Sequence, residues 1–143
     1  MKHEDVTIVM QGPIGEGLTY LDNYLNLVGR VIVSTWNSRV EIKNATLITD
    51  DIKKYENYYS NANICYQAAS SLNGMKQVNT KYAIKVRCDE YYTDLSKFIE
   101  LVKSDPEKLT THNFLFTPNN LEQFHPSDHV AGGYTHNILG MYQ

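Results

Sequence analysis

The chain is poor in the features that mark a specialised protein class. Two cysteines, Cys65 and Cys88, are too few for a disulfide framework. In a reducing compartment such thiols are usually buried and inert. Long apolar runs are missing. The first, Val6 to Met10, is broken by Thr7 and falls far short of the ~20 residues that span a bilayer. No hydrophobic stretch of signal-peptide length follows the charged Lys2, Glu4 and Asp5. There is no basic block: 13 basic against 16 acidic residues leave a net charge of -3, so nucleic acid is not an expected partner. Internal repeats, a Gly-x-Gly-x-x-Gly fingerprint and a P-loop are also absent. The expectation is a cytoplasmic globular protein without a transmembrane segment.

What is present suits one domain. The 143 residues, 42% apolar and 20% charged, can bury roughly 68–70% of their unfolded surface. The pattern alternates between β-rich runs and helical spacing. Strands are expected at residues 6–10, 30–36, 45–49, 81–87 and 113–117. Leu18, Leu21, Leu25 and Val28 predict an amphipathic helix stopped by Gly29. A second helix is expected over 62–79, with Cys65, Ala68, Ala69, Leu72 and Met75 as its apolar face. Gly74 inside it implies close packing or ligand approach, since glycine costs about 1 kcal/mol against alanine there. Asp94 reads as the N-cap of a third helix carrying Leu95, Phe98, Ile99 and Val102. A polar stretch then runs to Gly133, followed by a short helical tail from about Thr135.

This alternation predicts an α/β fold, a mostly parallel sheet flanked by helices. Ligands of such sheets bind beyond the carboxyl ends of the strands. The residues closing each strand therefore matter: Gln11-Gly12-Pro13, Ser34-Thr35-Trp36-Asn37, Asp50-Asp51 and Arg87-Cys88-Asp89-Glu90. Parallel strands would set all four groups on one rim. Gly12 allows close backbone approach and Pro13 stiffens the turn, which also describes a plain loop. Trp36 is either half-buried packing or a flat wall beside a base or sugar. Asp89 with Glu90 is either a solvated acidic turn or an oxygen site for Mg²⁺ or Mn²⁺. Arg87 can pair with an acid or clamp a phosphate. The sequence His125-Pro126-Ser127-Asp128-His129 lacks zinc spacing; Asp128 is a candidate general base, with His129 near a metal or phosphate. Gly132-Gly133 beside it suggests close backbone approach or a hinge.

Five segments occur in order: Thr7 to Pro13, Val33 to Trp36, Asn63 to Gln67, Lys85 to Asp89, and Pro126 to His129. With them the chain resembles the WavE lipopolysaccharide-synthesis family and related glycosyltransferases of bacteria and large DNA viruses. The resemblance covers most of residues 1–143. It implies a glycosyltransferase A-type fold, with a Rossmann-like nucleotide-binding half forming one nucleotide-sugar-binding domain. It further implies transfer of a sugar from a nucleotide diphosphate-sugar, UDP favoured, to a hydroxyl of a glycan or lipid-linked glycan. By position, Gln11, Gly12, Pro13, Ser34 and Trp36 would face the nucleoside, and Asn63, Gln67 and Gly74 would border the donor. Asp89 would hold Mn²⁺ or Mg²⁺, with Arg87 standing where the usual motif has its first acid. Asp128 and His129 would lie near the donor phosphates and the acceptor. Family members usually continue past this tail, so a fragment, a minimal enzyme and a truncated gene product are all consistent with Gln143 as the last residue. A cytoplasmic location, of the host if the chain is viral, goes with this reading.

The expected chemistry is electrostatic. A cation at Asp89, with Arg87 or Lys85, would stabilise the departing diphosphate, and Asp128 would take the acceptor proton if the reaction inverts. Two other readings are kept. One is a truncated, non-catalytic nucleotide- or carbohydrate-binding domain. The other is a sugar nucleotidyltransferase, disfavoured because residues 11–20 contain Gly12, Gly15 and Gly17 but no Arg or Lys.

Overall fold

A computed structural model of the chain describes residues 2–36, 40–50, 62–93, 95–111 and 130–143. The β-rich runs become strands β1 (His3–Gln11), β2 (Val28–Trp36), β3 (Thr46–Asp50) and β4 (Tyr82–Arg87). Two more strands follow, β5 (Thr110–Thr111) and β6 (Val130–Tyr134). Between them lie α1 (Leu21–Leu27), α2 (Ala62–Met75), α3 (Leu95–Ser104) and α4 (Thr135–Tyr142). A 3₁₀ turn, Glu16–Tyr20, leads into α1.

The six strands form one sheet in the order β3-β2-β1-β4-β6-β5. The first four are parallel, while β6 runs antiparallel to both β4 and β5. The sheet is therefore mixed, with the expected parallel part at its centre. Helices α1 and α3 pack with Val6, Ile8, Met10, Val31, Val33, Ile84 and Val86 in one apolar layer. On the other face Met75 of α2 and Ile138 of α4 pack with Val9, Ile32, Ala83 and Ala131. Each fully buried valine or isoleucine contributes about 1.5–3 kcal/mol, so these two layers hold the molecule together.

The topology positions a crevice. From β1 to β3 the chain moves steadily toward one edge. It then returns through α2 and lays β4 on the opposite side of β1. The order reverses between β1 and β4, and ligands of open α/β sheets bind at the carboxyl ends of the strands flanking such a point.

Several expectations need correction. The first helix ends at Leu27, not Val28, because β2 begins at Val28 opposite His3 of β1. Gly29 is a strand residue: a Cβ there would lie 2.7 Å from the Glu4 carbonyl oxygen, so β1 comes too close for a side chain. The second helix ends at Met75. Its buried face is Ser70, Ser71, Gly74 and Met75, while Ala68 is exposed. Strand β6 stands where the sequence predicts the end of a polar stretch. The expected strand at 113–117 and the Asp94 cap lie outside the described residues.

Candidate functional site

Parallel pairing aligns the strand ends. Gln11 is in register with Ser34 on one side and Arg87 on the other, and Trp36 is in register with Asp50. The expected common rim is thus present for the described residues; Asn37 and Asp51 lie outside them.

The period of two points Gln11, Ser34 and Lys85 to the face that α2 covers, the face of Val9, Ile32 and Ala83. Helix α2 meets them with a small and polar seam. The Ser34 hydroxyl donates to the Ser70 carbonyl at 2.6 Å. The Ser70 hydroxyl donates to Gln11 Oε1 at 3.0 Å and to the Gln67 carbonyl at 3.1 Å. Gly74 permits this approach: its Cβ would stand 2.5 Å from Val9 Cγ1 and 3.1 Å from Ser34 Cβ. Packing alone accounts for that glycine.

The seam is not fully spent. Among the described residues Gln11 Nε2 and Gln67 Oε1 are buried in it without a hydrogen-bond partner, as is Thr35 Oγ1 on the opposite face of β2. An unmade bond on a buried polar atom costs about 1–3 kcal/mol, so such groups mark places where a partner is missing. Gly12 lies beside this seam. It has φ 108°, a conformation that favours glycine, and a Cβ there would sit 3.5 Å from Gln67 Oε1. Its N–H donates to the Ser34 carbonyl at 3.2 Å. Pro13 follows, partly buried. Trp36 is half-buried against Tyr66 of α2, with ring centroids 5.5 Å apart and planes at 48°. Asn63 lies in the first turn of α2.

The second wall of the crevice is the loop after β4. The Cys88 N–H donates to the Gln11 carbonyl at 2.7 Å, continuing the sheet past its formal end. The loop after β1 folds over this turn with no room for side chains. A Cβ on Gly15 would lie 2.7 Å from Asp89 Cα, and one on Gly17 would lie 2.3 Å from the Glu90 carbonyl oxygen. Sequence reasoning noted both glycines without giving them a role; their spacing after a strand was the available signal. Ser70 was missed outright, and the Ser70-Ser71 pair on a mainly apolar helix was the clue.

Arg87 and Asp89 close on each other. Arg87 Nε donates to Asp89 Oδ1 at 2.8 Å and Nη2 donates to Oδ2 at 2.7 Å. The pair is part-exposed, with side chains 19% and 32% accessible. Glu90 Oε2 accepts from the Tyr92 hydroxyl at 2.9 Å. Burial is the main cause that pushes the Tyr92 hydroxyl far above its ordinary range, and the Glu90 carboxylate adds to it. Cys88, fully buried just before these acids in the chain, has its thiol pushed up to about 12 by burial and by the charge of Asp89.

These residues do not fit a divalent cation. Mg²⁺ and Mn²⁺ want several oxygens in a near-octahedral arrangement. Both Asp89 oxygens face a guanidinium, and no group of three His, Cys, Asp or Glu able to hold a metal occurs among the described residues. Two like charges about 4 Å apart cost about 4 kcal/mol near a protein surface, and a dication doubles that. Asp128 and His129 lie outside the described residues. A second cleft of about 190 Å³ lies beyond α1, lined by Tyr20, Asn23, Thr93 and Ser96 among others. Among the described residues no helix is long and apolar enough to cross a membrane.

A sequence model describing WavE lipopolysaccharide synthesis matches residues 6–143 of the chain. No curated protein matches it.

Proposed function

The chain belongs to the WavE lipopolysaccharide-synthesis family, and from that premise we propose that it is a glycosyltransferase using a nucleotide diphosphate-sugar, with UDP as the favoured nucleotide. The observation that carries this reading is the crevice between β1 and β4, where Gln11-Gly12-Pro13, Ser34 and Arg87 meet at the reversal of strand order. In such sheets that position takes nucleotides.

The seam under α2 would hold the nucleoside. Gln11 Nε2 is an unspent donor and Gln67 Oε1 an unspent acceptor. A pyrimidine imide edge offers the complementary pair, a carbonyl oxygen and an N–H. Trp36 would supply a wall for the base or ribose, and Gly12 lets the ligand approach the backbone. Arg87 would face the diphosphate. In the transfer, the bond between the sugar anomeric carbon and the diphosphate oxygen breaks, and its electron pair leaves on the diphosphate. The acceptor hydroxyl oxygen bonds to that carbon and its proton passes to a base, for which Asp128 is the candidate. Holding the two reactants at attack distance accounts for much of the rate.

The test is release of nucleoside diphosphate from a panel of UDP- and GDP-sugars, with and without a lipopolysaccharide-core acceptor. Acceptor-dependent release supports the transferase. Binding of the nucleotide without release supports a non-catalytic nucleotide-binding domain instead.

A further inference from the structure

From the Arg87–Asp89 geometry we infer that the diphosphate subsite works without a divalent metal ion: Arg87 supplies the positive charge and Asp89 is its positioning residue. The inference rests on the nucleotide reading above and specifies how that site meets its most highly charged ligand.

Three observations carry it. First, Asp89 spends both oxygens on one guanidinium, through Nε and Nη2, at 2.8 and 2.7 Å. This fork geometry fixes the plane of the guanidinium as well as its place. Second, Arg87 ends β4 directly beside Gln11, the last residue of β1, so the fixed charge stands at the strand-order reversal. It is part-exposed there and reachable from solvent. Third, the neighbouring acid is also engaged, since Glu90 accepts from the Tyr92 hydroxyl. The two carboxylates best placed for a cation are thus committed to other partners. A guanidinium can give two parallel N–H bonds to phosphate oxygens as it does to a carboxylate.

Asp89 then serves as a holder. Its carboxylate touches Arg87, not the ligand, and it keeps the long arginine side chain from losing rotamer freedom on binding.

Calorimetric titration of the full chain with UDP, uridine and inorganic pyrophosphate, each in chelator and in Mn²⁺, tests this. The expected UDP affinity is the same in both conditions within about twofold. Arg87→Ala is expected to weaken UDP and pyrophosphate by about 10- to 100-fold in both, the loss typical of charge-assisted hydrogen bonds, and to spare uridine. Arg87→Lys should recover only part of that loss, because a point charge lacks the fork. Asp89→Asn should weaken UDP equally with and without Mn²⁺. Binding of UDP only in Mn²⁺ would overturn the inference and leave the nucleotide reading standing. Tight Mn²⁺ binding to the protein alone by electron paramagnetic resonance, lost in Asp89→Asn, would do the same and needs no nucleotide. Failure of UDP, uridine and pyrophosphate to bind in either condition would overturn both.

Discussion

Gly17 and Gly140 make opposite predictions from the same residue type. A methyl group at Gly17 would press on two backbone oxygens, 2.3 Å from Glu90 and 2.5 Å from Cys88. Neither oxygen can turn aside as a side chain would. Gly17→Ala should therefore destabilise the protein by about 1–3 kcal/mol in urea unfolding, the usual cost of overpacking. Among the described residues nothing lies within 4 Å of the Cβ position of Gly140, in α4. Gly140→Ala should stabilise by up to about 1 kcal/mol through helix propensity. Cys88 gives a second residue-scale expectation. Burial pushes its thiol up to about 12, so at pH 8 on the order of one part in 10⁴ is thiolate. Peptide-resolved iodoacetamide labelling should find Cys88 at least about a hundredfold slower in the folded chain than in urea. Equal rates would mean that the turn after β4 is open.

Among the elements, α2 and β6 show where sequence periodicity misleads. Apolar spacing picked out Cys65, Ala68, Ala69, Leu72 and Met75; Met75 is buried as expected and the Cys65 side chain lies outside the described ones, but the helix also buries Ser70, Ser71 and Gly74 against the strand ends. A polar seam reads as a solvent face until the partner strands are known to end in Gln11 and Ser34. Strand β6 was hidden by its glycines. At Gly132 a Cβ would meet Val102 Cγ2 at 2.7 Å, Phe98 Cε1 at 2.9 Å and Ile84 Cγ1 at 3.3 Å, so the approach of α3 demands the residue that disguises the strand. The parallel strands were legible because β-branched runs buried on both faces need no partner to be recognised. Gly74→Ala tests the helix packing. Propensity favours alanine by about 1 kcal/mol, but the clash with Val9 at 2.5 Å should outweigh it. The expected result is a net loss of stability of about 1–2 kcal/mol by denaturant unfolding, with weaker UDP binding as the seam shifts.

For the whole molecule, the buried ionisable groups set an alkaline limit. Cys88 moves from an ordinary value of 9.0 to about 12, and Tyr24 from 10.0 to about 12, both chiefly through burial. The unfolded chain releases the Cys88 proton above pH 9 and the Tyr24 proton above pH 10, while the folded chain keeps both up to about pH 12. Stability should thus be intact below pH 9 and fall as pH rises toward 12, by about 1.4 kcal/mol per pH unit for each such group. Urea midpoints between pH 7 and 11 check this, and a flat profile would contradict the burial of both groups. The rim was also legible at this scale: parallel strands must end on one side, so Gln11, Ser34, Trp36 and Arg87 could be grouped before any contact was known. The Arg87–Asp89 closure was legible only as one of two readings, because the spacing of two residues is equally that of a metal-binding turn.

Amide hydrogen exchange of the full chain, with and without saturating UDP, tests the central claim most directly. The account predicts new protection in residues 11–17, in the second half of α2, and in residues 86–90, the three segments that meet at the crevice. Protection confined to the cleft of Tyr20, Asn23, Thr93 and Ser96, or no protection anywhere, would contradict it.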